Sequence, residues 1–204
     1  MAKKTKESKK IKSFVRIGVF SALWIAVSWA IACSIAFFAP VLLVLPCILS
    51  VFGGMIYTVL LSKLEVPGGI LVPSLLLGLC LFTMVPYGLL FLCSTIGGII
   101  GEILYQTAGK QIRMFQRIAV ALPMFGLALG EYIPMGFMRD TFNNMYADHF
   151  TEGVSRAAMN MMNTPVIIFL SVLTIVLAFI GCLWGESITH RRLAKNGGNS
   201  NGQN

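Results

Sequence analysis

The chain has 204 residues, 56% of them hydrophobic and 12% charged, with a mean hydropathy of +0.80 and a formal net charge of +8. A single core of this size cannot bury that much apolar surface, which excludes a water-soluble domain and leaves a polytopic membrane protein. The positive charge is not a nucleic-acid signal, because most of it sits in short segments beside apolar runs, where lysine and arginine set orientation and touch anionic lipid.

Residues 1–13 form a lysine-dense tail expected to be disordered. Phe14 to Ala39 carries no charge after Arg16 and exceeds the roughly 20 apolar residues that span a bilayer. It is also too long for the apolar region of a cleaved leader, so the reading is a retained helix. Within it Gly18, Ala22, Ala26 and Ala30 recur every fourth residue, a stripe of small side chains along which another helix can approach closely. At 100° per residue Trp24 falls on the opposite face, whereas Trp29 borders the stripe. Pro40 stops this helix.

A second helix is expected from Val41 to Ser62, a polar turn from Lys63 to Gly69, and a third, shorter apolar run from Ile70 to Val85. Pro86-Tyr87-Gly88 reverses the chain into a fourth helix, Leu89 to Thr107, and a basic turn over residues 109–117 follows. The fifth helix runs from Ile118 to Met138, kinked or broken near Pro123 and Pro134. Residues 139–164 form the long polar loop, and the sixth helix runs from Pro165 to Glu186. Beyond His190-Arg191-Arg192, a Gly/Asn-rich tail over 191–204 is expected to be disordered.

The expected architecture is therefore an all-α membrane protein, six transmembrane helices in a compact bundle over residues 14–190. Six spans place both termini on one side with the 63–69 and 109–117 turns. That side collects most of the lysines and arginines and leaves only Arg139 and Arg156 opposite, so the termini are expected in the cytoplasm of a multi-pass cell-membrane protein, with the 139–164 loop outside. In that loop Phe142, Met145, Tyr146, His149 and Phe150 share one face of a short amphipathic helix.

No His-Glu-x-x-His, Gly-x-Ser-x-Gly or phosphate-binding glycine-lysine loop is present. The two histidines, His149 and His190, fall on opposite sides of the membrane. Neither a catalytic nor a metal site is expected, and the chain is read as not being an enzyme. Cys33, Cys47, Cys80, Cys93 and Cys182 lie in apolar runs with no zinc or disulfide spacing and read as small buried hydrophobes.

The intramembrane acids carry more information, since a carboxylate near the bilayer centre costs roughly 2.5–3.5 kcal/mol on insertion scales. Glu131, with Tyr132 beside it, is either a ligand contact in an outward pocket or a carboxylate that snorkels or pairs with Arg139. Glu102 suits a structural or subunit contact. Glu186 and His190, four apart, read as an interfacial pair. Gly97/Gly101, Gly126/Gly130 and Gly181/Gly185 mark close helix packing. The loop, with Tyr146 and His149 on its apolar face, reads as a lid over a pocket or as a helix in the headgroup layer. Asn160 and Asn163 are ligand candidates, unless one of them caps the last helix. Methionine, histidine and tyrosine on the outer side lean toward a large, partly aromatic cargo, with a haem or corrinoid among the options because His and Met ligate such metals.

Short helices with termini inside, and the alanine series Ala22-x-x-x-Ala26-x-x-x-Ala30, resemble the substrate-binding S component of energy-coupling factor (ECF) transporters. Lys63-Leu-Glu-Val-Pro-Gly68-Gly69 and Gly98-Ile-Ile-Gly101-Glu102-Ile-Leu-Tyr-Gln-Thr-Ala-Gly109-Lys110 look like the branch called Trep_Strep or MptS-like, over residues 14 to about 190. The resemblance implies a subunit that binds a micronutrient at the outer face and docks through the first helix on a transmembrane coupling subunit driven by two ATPases, which consume the ATP. Ala22, Ala26 and Ala30 inherit the docking role. The competing reading is a small membrane scaffold without cargo, whose alanine stripe mediates oligomerisation.

Overall fold

The computed structural model describes residues 2–35, 39–64, 66–146 and 152–200. Among these the structure is helices joined by turns, without a strand: α1 (Ala2–Ile35), α2 (Ala39–Leu61), α3 (Leu71–Cys80), α4 (Leu89–Leu104), α5 (Arg113–Phe137), α6 (Arg139–Tyr146), α7 (Glu152–Met161) and α8 (Thr164–Ser200). Five stretches are long and apolar enough to cross a membrane: Lys10–Ser34, Val41–Leu61, Pro86–Gly109, Arg113–Phe137 and Thr164–Arg191.

The third run departs from expectation. Its helix ends at Cys80 and continues as two 3-10 turns, Phe82–Met84 and Pro86–Gly88. Ten helical residues rise only about 15 Å, half a hydrocarbon core. Tyr87 and Gly88 both adopt positive φ, 57° and 62°, and this pair of left-handed residues turns the chain back into α4. Both helix ends facing the 105–113 turn also shift: α4 passes into a π-helical turn, Tyr105–Gly109, and α5 begins at Arg113 rather than Ile118. Pro123 and Pro134 lie inside α5, which runs through both as one helix. The helices also take in most of the two tails expected to be disordered, because adding residues to an existing helix needs no new nucleus.

α5 is the most buried of the long helices and α1 the least. Two glycine-lined interfaces build the rest of the bundle. On α4 and α5, a Cβ at Gly97 would stand 2.6 Å from the Leu122 carbonyl oxygen, and Gly126 abuts the Cys93 carbonyl. On α2 and α8, Gly54 faces the Ala178 carbonyl, Gly181 the Val51 carbonyl, and Gly185 meets Met55. These are backbone-to-backbone approaches, which only a residue without a side chain permits.

α1 packs on α2 and α3 through Ile17, Ser21, Trp24 and Ser28. The two serines donate to the carbonyls of Ile17 and Trp24, both at 2.8 Å, so neither brings an unsatisfied hydroxyl into the contact. Trp24 is fully buried, edge-on to Tyr57.

One end of the bundle gathers the charged groups. Arg16 donates to the Lys63 carbonyl, and Arg117 makes a two-pronged pair with Glu186, Nε to Oε1 and NH2 to Oε2 both at 2.9 Å. Glu186 is thus held chiefly by Arg117 of α5, while His190, its partner by spacing, adds a longer-range attraction. The pair is only partly shielded, so Arg117→Leu is expected to cost about 1 kcal/mol, a thermal shift of a few degrees. Arg117→Leu with Glu186→Leu should recover part of that loss, because it leaves no lone charge behind; melting in detergent checks both.

At the same end, Glu102 of α4 accepts from Gly68 N at 2.8 Å, Ile70 N at 2.9 Å and Leu71 N at 3.4 Å, with Gln106 Nε2 at 2.6 Å. A buried carboxyl thereby satisfies the N–H groups that begin α3, where no neighbouring side chain caps the helix.

Candidate functional site

At the end of the bundle opposite the Arg117–Glu186 pair lies a cavity of about 290 Å³. Its walls come from the last turns of α1, the first half of α2, the 81–85 turn, the start of α4, the end of α5 and one residue of α6. Leu127, Glu131 and Met135 of α5 reach it together because residues four apart share a helix face. Trp29 and Cys33 enter from α1, Leu45 and Leu49 from α2, Met84 from the turn, and Phe142 closes the wall from α6.

The lining is almost wholly apolar. Ser28 is spoken for by the Trp24 carbonyl. Glu131 is the exception: it is 8% exposed, and its Oε1 has no hydrogen-bond partner among the described residues. Arg139, the salt-bridge partner the sequence allowed, instead donates to the Met162 carbonyl. A buried polar atom without a partner forfeits about 1–3 kcal/mol, more for a charged group, which makes Glu131 a costly group among its apolar neighbours.

The other residues singled out from sequence go elsewhere. Tyr132, one residue on and therefore rotated by 100°, points into the core. Its hydroxyl donates to the Leu43 carbonyl at 3.0 Å and lies 3.8 Å from Cys47 Sγ, tying α5 to α2. Asn163 Oδ1 accepts from Val166 N at 3.0 Å and caps α8. Asn160 is exposed on α7 and is not part of the wall. Tyr146's side chain, His149 and Phe150 lie outside the described residues.

The 139–164 loop folds down on the bundle as two helices rather than one. Phe142 of α6 and Ala158, Met159 and Met162 at α7 are buried. Of the cysteines, Cys47 and Cys182 are buried as expected, while Cys33 and Cys80 are exposed.

Sequence reasoning missed the walls supplied by α1, α2 and the 81–85 turn. Their residues are apolar in a chain where lipid-facing residues are apolar too, and no periodicity separates the two. A second hollow, at the charged end, is lined by Ser62, Tyr105, Arg113, Gln116, Glu186 and His190. Its carboxyl is already paired with Arg117.

The small-residue stripe is on the outside. Gly18, Ala22, Ala26 and Ala30 are all exposed, and a Cβ at Gly18 would meet nothing within 4 Å. Among the described residues, none of the bundle's packing covers those four positions.

No curated protein and no solved structure matches the chain. The profile of the family described as a hypothetical bacterial integral membrane protein (Trep_Strep) matches residues 11–195. With that match over most of its length, and several apolar helices long enough to cross a bilayer, the chain belongs to the Trep_Strep family of integral membrane proteins.

Proposed function

We propose that this protein is the substrate-binding subunit of an ECF-type importer: it takes a small micronutrient into the Glu131 cavity and docks through α1 on a transmembrane coupling subunit served by two ATPases. The observation that carries the reading is the unused stripe on α1. Small residues that let backbones approach are ordinarily consumed within a bundle, as they are on α2, α4, α5 and α8 here; four in a row left on the surface supply an approach face for another chain.

The sidedness follows from charge. Arg16, Lys63, Arg113, Arg117 and His190 belong to one end and the cavity to the other. α2 ends at the basic end and α4 begins by the cavity, so residues 62–88 carry the chain back across as the sixth crossing, with α3 as its helical half. The basic end, with both termini, is cytoplasmic by the positive-inside rule, which turns the cavity outward.

Ala26→Trp tests the docking half. Bulk on the stripe forfeits about 1–3 kcal/mol of interhelical packing, roughly a 5- to 150-fold weaker association. The expected outcome is a variant that folds normally but no longer co-purifies with the coupling subunit and ATPases. Undiminished co-purification rejects the proposal, and a purely self-associating chain whose oligomer is broken by the same substitution points instead to a scaffold.

A further inference from the structure

The cavity wall specifies a cargo class. We infer that the molecule bound there carries one cationic nitrogen and no carboxylate, on a compact apolar body of about two rings; this rests on the cavity being the cargo site of the transporter proposed above.

Three observations converge. The first is charge. Among the described residues Glu131 is the one acidic group on the wall, and no lysine, arginine or histidine lines it. A ligand with a carboxylate would bring a negative charge into an apolar enclosure with no counter-ion among the described residues, and burying an unpaired charge is among the most expensive arrangements available. A cation reverses the balance. It supplies Glu131 Oε1 with the donor that the described residues withhold, and the carboxyl supplies the ligand with a counter-charge in a low-dielectric site.

The second is the character of the remaining wall. Trp29 and Phe142 face the same space as Glu131, and aromatic faces attract cations while packing against flat rings. Trp29 is partly exposed at the α1 edge, whereas Phe142 is buried on α6. Leucines and methionines complete the enclosure and offer no hydrogen bond that a polar, sugar-like ligand would need.

The third is size. An apolar cavity of about 150 Å³ holds one benzene ring. At about 290 Å³ the present cavity suits roughly twice that, a two-ring molecule. A tetrapyrrole with acidic side chains misfits on volume and on charge together.

Matched probes separate the charge from the body. 2-Naphthylmethylamine, 2-naphthylmethanol and 2-naphthoic acid share one ring system and differ in bearing a cation, a neutral hydroxyl and an anion. Binding is measured by equilibrium dialysis against the full chain in lipid nanodiscs, with empty nanodiscs as the blank. The amine is expected to bind more tightly than the alcohol, and the acid not at all. In Glu131→Gln the amine should weaken about 10- to 100-fold while the alcohol is unchanged. Trp29→Leu, at a partly exposed position, should weaken the amine about fivefold and the alcohol less. Equal affinity for amine and alcohol, or an amine preference that survives Glu131→Gln, overturns the cationic class while leaving the cavity as a ligand site. Failure of all three probes to bind rejects the cargo class outright. Loss of docking in Ala26→Trp is read on the partner subunits, so the transporter reading stands or falls separately.

Discussion

Gly181→Leu is expected to break the bundle. A Cβ at this position would run into the Val51 carbonyl, and the Val51 Cα lies 3.0 Å away. Because the obstacle is the backbone of α2 and not the tip of a flexible side chain, it cannot rotate aside, and α8 must lift off α2 along their whole contact. Gly54, Ala178 and Gly185 share that contact, so the loss spreads beyond one residue. Overpacking costs about 1–3 kcal/mol even where side chains can adjust. A loss at the top of that range lowers the melting temperature of a chain this size by about 6–12 °C, read by size-exclusion after heating in detergent. Gly18→Leu is the control: it meets open space and should melt like the parent. A Gly181→Leu protein that also melts like the parent would mean that α2 and α8 do not approach as described.

Removing the carboxyl of Glu102 acts on α3 and by another route. Glu102→Ala strands the N–H groups of Gly68, Ile70 and Leu71 at the head of a ten-residue helix, together with the Gln106 amide. Each orphaned donor costs about 1–3 kcal/mol where water cannot replace the partner. The sum approaches the whole stability of a typical domain. Glu102→Gln keeps one acceptor oxygen and should lose about half as much. Hydrogen exchange localises the effect: amides 68–71 should lose protection in both variants before the glycine-packed helices do. Unchanged protection there would show that α3 is held by packing alone.

Residue spacing carries only part of the way to these contacts. Glycines four apart on α4, α5 and α8 announced close approach, and the approach is there. Glu102 was legible as an intramembrane acid with a structural task. That its partners would be backbone groups more than thirty residues earlier was not, because a capping carboxyl contributed from another helix leaves no local pattern. Glu186 illustrates the same limit: its nearest plausible partner by spacing was His190, yet the guanidinium that reaches it comes from α5, 69 residues away. For Glu131 and Tyr132 the difference was a single helical step. Only the placement of α1 and α2 around α5 decided that the first faces a cavity and the second a hydrogen-bonded core.

What the amino-acid order determined unaided was the class of protein, the positions of most long apolar helices, the clustering of basic residues beside some of them, and the four-residue stripe on α1. All of these are properties of one segment, set by the length of helix needed to cross a bilayer and by side-chain size along a helix face. Tertiary structure alone decided that the stripe is left outside, that the third run is only half a helix, and that a mostly apolar cavity surrounds a carboxyl whose Oε1 has no partner among the described residues. In a membrane, residues facing lipid and residues facing the core are equally apolar, so hydropathy cannot say which helix meets which; close packing and the pairing of a few buried polar atoms settle it.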